Sequence, residues 1–202
     1  MRLKNTMTIK QINASYLGNE DRILLRFNTQ DQSEYRLWLT RRLTLFILTA
    51  SSHLLAKMMQ QDHSPNAKKA IDEFEKEAFT EALNTANAGA RSYEAGIQFP
   101  IGFDPLLVID ASISLMKNGE KFTGEVGSNT GEFDDALSID FILPSNSSLN
   151  LKLGRNMLRA TCLLLDKLST QASWRDAILT AQFDGETVSP ADEINTHKVS
   201  LH

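Results

Sequence analysis

The chain has 202 residues, an ordinary share of apolar and charged side chains, and a formal net charge of −4. This length fits one domain or two small halves and can bury a core without disulfides. The first residues lack the apolar run of a signal peptide, and no stretch approaches the roughly 20 apolar residues that span a bilayer. Cys162 is the only cysteine, which excludes an internal disulfide and fits a reducing compartment. We therefore expect a cytoplasmic protein that has no membrane attachment.

Charge is unevenly distributed along the chain. Residues 1–60 carry nine lysines and arginines against four acidic residues, a net charge of +5, which leaves −9 for the remainder. Attraction between the two halves across an interface explains this distribution most simply. A patch for an anionic partner is the alternative.

The first 60 residues predict three strands followed by a helix. We expect strands at 7–16, 22–28 and 34–39, the last two because apolar and polar side chains alternate there. Thr40 is a plausible N-cap for a helix that runs to about residue 60. The helix positions expected to face inward are Leu43, Phe46, Ile47, Ala50, Leu54 and Met58.

Residues 61–105 predict an inserted helix and a linker. Ser64 and Pro65 form a cap-and-first-turn signature, so we expect a helix over about 65–87. Its apolar stripe is narrow and the rest is heavily charged, which indicates a helix that packs by one edge or covers another surface. The glycines and prolines of 88–105 predict a linker that lies on the surface.

Residues 106–174 predict a second set of strands and a helix. Residues 107–116 alternate, with Leu107 and Ile109 among the expected inward positions, and Asn118-Gly119 predicts a tight hairpin before a return strand over 120–127. Two more strands and a helix over about 155–170 follow. The helix positions expected to face inward are Met157, Thr161, Leu164, Leu165 and Leu168. Residues 175–202 form a tail whose last dozen residues we expect to be disordered.

The two sets of elements look like one unit repeated 114 residues later. Residues 22–57 align with 136–171 without a gap, and the inward positions of the two helices coincide. The identical pairs are Phe27/Phe141, Ser33/Ser147, Leu37/Leu151, Leu39/Leu153, Arg41/Arg155 and Leu54/Leu168. We therefore predict an α+β fold, a single domain over 1–202, in which two antiparallel-sheet-plus-helix repeats (about 7–60 and 106–171) are related by a pseudo-twofold axis.

Candidate partner-binding residues lie on the outer side of the first predicted sheet. The alternation places Arg22, Arg26, Arg36 and Trp38 away from the apolar face, and Arg41 and Arg42 just beyond. Arginines beside an exposed aromatic ring are typical of single-stranded nucleic-acid binding. The preferred interpretation is that the 65–87 helix covers Trp38 and that its Glu73, Glu75, Glu77 and Glu81 pair with these arginines.

Arg41 and Arg155 each lie in the first turn of a predicted helix, where a cation opposes the helix dipole. A carboxylate from the other repeat is the more common compensation, and a bound anion is the alternative.

No residue set indicates catalysis, a cofactor or a metal. His53, His63, His197 and His202 are scattered without ligand spacing. The loop with Glu132, Asp134 and Asp135 lacks calcium-site spacing, and Cys162 is expected to be a buried thiol. No phosphate-binding loop or nucleophile elbow is present. We therefore expect a protein that is not an enzyme.

The segment DRILLRF…EYRLWLTRRL (21–43) resembles small uncharacterised bacterial proteins in which a strand ending R-L-W-L-T-R-R runs directly into a helix. The outline of two sheet-plus-helix units is similar to that of the PUR and Whirly nucleic-acid-binding folds, an analogy of fold alone. Taken together, these observations predict a non-enzymatic binding protein of bacterial origin that forms homo-oligomers and binds a protein partner. Single-stranded nucleic-acid binding through the Arg/Trp side of the sheet is the alternative.

Overall fold

The computed structural model describes residues 8–58, 92–124, 133–144 and 147–175, together with Ala70, Glu73, Phe74 and Glu77. Within these residues the fold is α+β, with two four-stranded sheets and two helices. The first sheet contains, in order, β1 (Ile9–Leu17), β2 (Arg22–Thr29), β3 (Glu34–Thr40) and β4 (Leu106–Leu107), and α1 (Arg41–Met58) follows β3. The second sheet has the order β6 (Glu120–Lys121), β5 (Asp110–Lys117), β7 (Ala136–Ile142) and β8 (Ser148–Gly154), and α2 (Arg155–Gln171) follows β8.

Apolar and polar side chains alternate along the strands as the sequence predicts. β2 buries Ile23, Leu25 and Phe27 on one face, and the antiparallel register pairs them with buried Leu39, Leu37 and Tyr35 of β3. The second sheet buries the corresponding face of its strands, with Leu137, Ile139 and Phe141 paired with Leu153, Leu151 and Leu149. The predicted turn at Asn118-Gly119 is also confirmed, since both residues have positive φ.

Each helix begins directly after a strand, without a loop. Thr40 is the predicted N-cap of α1, and its Oγ1 accepts a hydrogen bond from the Leu43 backbone N at 3.4 Å. The inward positions, however, differ in part from the prediction. The residues that α1 buries are Leu43, Thr44, Ile47, Leu48 and Ser51, and those that α2 buries are Leu158, Thr161, Leu165, Leu168 and Ser169.

Phe46 was predicted to face the core but is 42% exposed. Helix α1 packs against both α2 and β5, as well as its own strand β3. These neighbours lie on both sides of Ile47, so the buried face is centred on Ile47 and Ser51, and Phe46 falls outside it. Likewise Met157 and Leu164 of α2 are only half-buried, whereas Leu158 is buried.

One continuous cluster of buried apolar side chains draws on both sheets and both helices. Helix α1 contacts β5 of the second sheet, and α2 contacts β1 of the first. Each helix therefore packs against the first long strand of the other sheet, which joins the two halves in a common core.

The start of the second predicted repeat is different in the structure. Residues 106–107 pair in parallel with Leu37 and Trp38, so they belong to the first sheet, and β5 begins only at Asp110. The Val108 N donates to the Trp38 O at 3.0 Å, while the next residue, Ile109, donates from its N to the Ile142 O at 2.9 Å. Because the chain crosses between the sheets here, Leu107 and Ile109 are 39% and 51% exposed, and their predicted inward placement is wrong.

Several predicted elements lie partly or wholly outside the described residues. Most of the helix predicted over 65–87 does so, although its four described residues are helical and exposed. The return strand predicted over 120–127 is described as strand only at Glu120–Lys121, and residues 125–127 lie outside. The tail after residue 175 also lies outside.

Trp174, which borders that tail, belongs to the core. It is 2% exposed, and its Nε1 donates to Asp21 Oδ1 at 2.6 Å. Its ring meets the Tyr16 ring edge-on, with centroids 5.7 Å apart. Trp174, three residues beyond the end of α2, thus links the second half of the chain to the turn between β1 and β2.

Candidate functional site

The outer face of the first sheet consists of the side chains that point away from the core. Cross-strand register brings Leu24 beside Trp38, Arg26 beside Arg36 and Asn28 beside Glu34. The structure thus places the predicted candidates Arg22, Arg26, Arg36 and Trp38 together on this face, all half-buried. Their surroundings divide the face into a covered end and an open end.

The covered end lies beneath residues 92–103. Asn28 Nδ2 donates to the Glu94 O at 2.6 Å, and the Gly96 N donates to Glu34 Oε2 at 2.6 Å. The Glu34 N in turn donates to the Gln98 O at 2.7 Å. Gly96 is required for this close approach, because a Cβ there would lie 2.6 Å from the Gln32 carbonyl oxygen.

The segment that contacts this end of the face belongs to the predicted linker. Glu73 and Glu77, the two described glutamates of the helix predicted over 65–87, are exposed and make no ion pair in the described part of the chain. Residues 92–103 occupy that end of the face, and most of the helix predicted to cover Trp38, with Glu75 and Glu81, lies outside the described residues.

Arg36 is held in place at the covered end. Its Nε lies 2.7 Å from Glu34 Oε1, and the Glu34 side chain is fully buried. The guanidinium carbon lies 4.8 Å from the centre of the Phe99 ring and 4.3 Å from that of Phe103, and Nη1 donates to the Phe103 O at 3.1 Å. A cation with an ion pair, a backbone acceptor and two aromatic rings stabilises the contact between segment and sheet.

Arg26 is engaged in a similar way. Its Nη2 donates to Asn13 Oδ1 at 2.7 Å, and its guanidinium carbon lies 4.9 Å from the centre of the Tyr93 ring. Burial raises the pKa of Tyr93 to about 12, and the negative charge of Glu34 contributes. The buried Tyr93 hydroxyl has no hydrogen-bond partner within the described residues. Both arginines of the covered end are thus held by polar and aromatic contacts.

The open end surrounds Trp38. Its neighbour in the parallel register is Leu107, which is 39% exposed, and Ile109 follows at 51%. Arg42 borders this patch and donates from Nη2 to the Ile109 O at 3.1 Å. Arg22 is 3.7 Å from Glu20, with both side chains about two-fifths exposed. The open end therefore presents apolar side chains between two accessible arginines.

Exposed apolar side chains are concentrated along this edge of the sheet. Six large apolar residues of the described chain are exposed, and four of them lie between residues 97 and 109. These four are Ile97, Phe103, Leu107 and Ile109. Ile97 and Phe103 belong to the linker that was predicted to lie on the surface, whereas Leu107 and Ile109 were expected to face inward because they alternate like residues of a buried strand.

The positive charges of Arg41 and Arg155, in the first turns of the two helices, are offset by partners other than those predicted. Arg155 pairs with Asp135, which directly precedes β7 in the same half of the chain. Arg41 donates from Nη2 to the Trp174 O at 2.6 Å, so its partner is a backbone carbonyl just beyond α2. For Arg41 the partner shown is thus a carbonyl and not the expected carboxylate from the other half, and Arg155 pairs with a carboxylate of its own half.

A cavity of about 560 Å³ lies between the two helices. We call it the interhelical cavity. Its lining residues come from α1, from α2 and from the position after Trp174: Leu48, Thr49, Ser52, His53, Leu55, Arg159, Cys162, Leu163, Asp166 and Arg175. Sequence reasoning treated His53 and Cys162 as isolated residues and missed this cluster. The 114-residue offset between the helices could have pointed to this cluster, because it matches three lining residues of α1 with three of α2. These pairs are Leu48/Cys162, Thr49/Leu163 and Ser52/Asp166.

The acidic loop stabilises a turn. Asp134 accepts hydrogen bonds from the backbone N of Asn118 at 3.0 Å and of Gly119 at 2.7 Å, and Glu132 lies outside the described residues. Among the described residues, no three His, Cys, Asp or Glu side chains form a group that could hold a metal. No described helix has both the length and the apolar character needed to cross a membrane.

Comparison with known proteins gives no relative: no protein-family model, no curated protein and no solved structure matches the chain. The resemblances seen in the sequence therefore stay predictions, and function has to be inferred from the geometry of this molecule.

Proposed function

We propose that the protein is a non-enzymatic interaction protein that self-associates through the open end of the outer face. The observation that carries this proposal is the pair of exposed apolar residues beside Trp38, Leu107 and Ile109, with Arg22 and Arg42 nearby. Protein interfaces are enriched in aromatic residues and arginine, and their most important residues are typically Trp, Tyr and Arg.

A second copy of this chain offers a surface of complementary chemistry. Phe74 is 71% exposed, and the two described acidic residues on either side of it, Glu73 and Glu77, are also exposed. An apolar ring between carboxylates matches an apolar patch between arginines. The charge distribution agrees, because the first 60 residues carry +5 and the remainder −9. We therefore assign the surface around Phe74 of one copy as the partner of the open end of another.

The same observations make nucleic acid the weaker alternative. Arg26 and Arg36 are engaged by Asn13, Glu34 and aromatic rings, and the buried Glu34 carboxylate offsets the charge of Arg36. Among the described arginines of this face and its border, Arg22 and Arg42 remain accessible. Single-stranded nucleic acid needs a positive groove that follows its backbone.

Reversing the charges on each of the two proposed contact surfaces tests the self-association. Sedimentation velocity over a range of protein concentrations should show wild-type oligomers that the double variants Arg22→Glu/Arg42→Glu and Glu73→Lys/Glu77→Lys each weaken. Mixing the two variants should restore association, since the reversed charges again attract. Glu120→Lys, on the exposed β5–β6 hairpin, is the matched control and should behave as wild type.

A protein that stays monomeric at every concentration would contradict self-association. Anisotropy of a labelled single-stranded oligonucleotide provides the second readout. Salt-sensitive binding that the Arg22→Glu/Arg42→Glu variant abolishes, in a protein whose sedimentation does not depend on concentration, would replace the present proposal with nucleic-acid binding.

The proposal includes two repeated units related by a pseudo-twofold axis. Adding 114 to the first residues of β2, β3 and α1 gives the first residues of β7, β8 and α2. The same offset matches buried Thr44, Ile47 and Ser51 to buried Leu158, Thr161 and Leu165. In a crystal structure, superposition of 22–57 on 136–171 should need a rotation close to a half-turn. A rotation far from that would contradict the axis.

A further inference from the structure

The turn between β5 and β6 holds a chemically reactive pair of residues. Asn118 is the only asparagine of the chain that is followed by glycine, and both Asn118 and Gly119 are exposed. The side-chain amide of an asparagine can be attacked by the backbone nitrogen of the next residue, which closes a five-membered ring. Gly119 has no side chain to obstruct this approach, and a Cβ built there would meet no atom within 4 Å.

Asp134 holds the nitrogen that would attack. Its Oδ2 accepts a hydrogen bond from the Gly119 N at 2.7 Å, and its Oδ1 accepts one from the Asn118 N at 3.0 Å. The Asp134 N donates to the Met116 O at 2.8 Å, which fixes the carboxylate beside the turn. The nucleophile is the nitrogen without its proton. A carboxylate that accepts a hydrogen bond from the protonated nitrogen, and repels negative charge there, disfavours the reactive form.

The conformation of the turn also opposes ring closure. Lys117 pairs with Glu120 across a two-residue loop, and φ is 52° at Asn118 and 80° at Gly119, which is the type I′ geometry. In that geometry the Asn118 Cβ and the Gly119 N lie on nearly opposite sides of the Cα–C bond. The five-membered ring requires these two atoms to eclipse each other. Reaction therefore needs the turn to open, and the two hydrogen bonds to Asp134 resist that opening.

We propose that Asn118 is a site of deamidation through a succinimide and that Asp134 protects it while the hairpin is closed. In the open turn the Gly119 N loses its proton and bonds to Asn118 Cγ, and the bond from Cγ to Nδ2 breaks as ammonia leaves. Water then opens the ring at either carbonyl, which gives aspartate or isoaspartate at this position. One water is consumed, one ammonia is released, and the chain gains one negative charge.

The product weakens the contact that delayed its formation. The new carboxylate lies near Asp134 and Glu120 and is repelled by both, and isoaspartate lengthens the backbone of the turn by one carbon. The same hairpin carries Lys121, which pairs with Asp140 on the outer face of the second sheet. Deamidation therefore marks aged copies of the chain at this hairpin. The site is separate from the first sheet and does not depend on self-association.

Peptide mass spectrometry of the folded, full-length protein in mildly alkaline buffer measures the reaction. The peptide with Asn118 should slowly gain the mass difference between an amide and an acid. Asp134→Ala should react about fivefold faster or more, because the turn then opens without loss of hydrogen bonds to a charged group. Asp134→Asn keeps the shape of the side chain without its charge, and its rate should lie between the two.

Three controls separate the role of Asp134 from general effects. Asn19, also exposed in a turn, should remain an amide over the same interval, because the side chain of Glu20 hinders the attack. Glu120→Gln removes an exposed negative charge next to Gly119 and should change the rate little. In urea, wild type and Asp134→Ala should react at equal rates, since the turn is lost in both. A thermal melt verifies that each variant is folded in buffer.

Each contrary result has a definite meaning. Equal rates for folded wild type and folded Asp134→Ala would contradict protection by Asp134. A slower reaction in Asp134→Ala would show that the carboxylate removes the proton as a base, which overturns the protective role. An Asn118 that stays an amide in both folded proteins, over a period in which it reacts in urea, would overturn the site. If Asp134→Ala does not fold, the same comparisons are made with Asp134→Asn.

Discussion

The outer faces of the two sheets carry different chemistry on similar frames. In the first sheet, the cross-strand pairs on this face are Leu24/Trp38, Arg26/Arg36 and Asn28/Glu34. In the second, the pairs are Ser138/Lys152 and Asp140/Asn150. These pairs give the first face a large aromatic ring, arginines and a buried carboxylate, whereas those of the second are short polar side chains and Lys152.

The polar side chains of the two outer faces also find their hydrogen-bond partners in different parts of the chain. On the second, Asn150 Nδ2 donates to Ser138 Oγ at 2.7 Å and to Asp140 Oδ1 at 2.8 Å, and Lys121 pairs with Asp140. Neighbouring strands thus satisfy the polar groups. On the first, Asn28, Glu34 and Arg36 depend on residues 92–103 for partners. The buried faces support one core, whereas the outer faces differ, and among the described residues the exposed apolar area lies on the first.

The largest expected effect tests the shared core. Ile47→Asp in α1 and Leu165→Asp in α2 should each unfold the whole chain, because these positions are 2% and 0% exposed and a buried unpaired charge costs several kcal/mol. Urea unfolding followed by circular dichroism measures this. Phe46→Asp is the control, since Phe46 is 42% exposed, and should change stability little. Loss of only half of the signal in either variant would mean that the two halves fold separately.

The covered end of the first face should respond to Gly96→Ala. The new Cβ would lie 2.6 Å from the Gln32 carbonyl oxygen and 2.8 Å from Glu34 Cβ, so residues 92–103 must shift away from the sheet. We expect a loss of about 1–3 kcal/mol in the free energy of unfolding. Gly18→Ala is the control, because its Cβ would meet nothing nearer than 3.7 Å. Equal urea midpoints for the two variants would contradict the tight contact.

A smaller change in the free energy of unfolding is expected from a difference between the buried faces of the two helices. Ser51 of α1 is fully buried and its hydroxyl has no partner within the described residues, whereas the corresponding residue of α2, 114 positions later, is Leu165. Ser51→Ala should therefore stabilise the protein by about 1 kcal/mol. Ser52→Ala, at an exposed position, gains the same helix propensity without relieving a buried group. If both variants gain equally, the buried hydroxyl of Ser51 is not destabilising.

The smallest effect is confined to alkaline pH. The pKa of Tyr93 is raised from 10.0 to about 12 by burial and by Glu34. The folded state therefore keeps its proton where the unfolded state loses it, so this stabilising contribution is complete below pH 10 and decreases as the pH rises towards 12. Tyr93→Phe should lose the tyrosinate absorbance that appears near pH 12, and its stability should fall less steeply over that interval. Identical titration curves for both proteins would show that Tyr93 ionises normally.

The local alternation of apolar and polar residues predicted the structure correctly in strands that bury one face. The alternation in β2, β3, β7 and β8 and the abrupt strand-to-helix joints follow from residues adjacent in sequence, as does the cap at Thr40. The Arg/Trp side of the first sheet was placed in the same way, since a strand that buries Ile23, Leu25 and Phe27 must direct Arg22 and Arg26 outwards.

Prediction failed where segments distant in sequence determine the environment. Leu107 and Ile109 alternate like core residues, yet the chain changes sheets between them and leaves both exposed. Phe46 fits the helical period, but the position of β5 and α2 around α1 decides which side is buried. The interhelical cavity was not predicted because Cys162 and His53 are more than 100 residues apart, and only the packing of two helices brings them together.

The sequence by itself therefore determined the positions of the main strands and helices and the buried faces of β2, β3, β7 and β8, because periodicity and capping act over a few residues. Tertiary structure decided what covers each exposed face. Trp174 packs against Tyr16 and binds Asp21, and residues 92–103 close half of the outer face, since only the folded chain brings those partners within hydrogen-bonding distance. Which arginines remain accessible, and which polar groups are sealed from water, follows from that coverage and not from the strand that carries them.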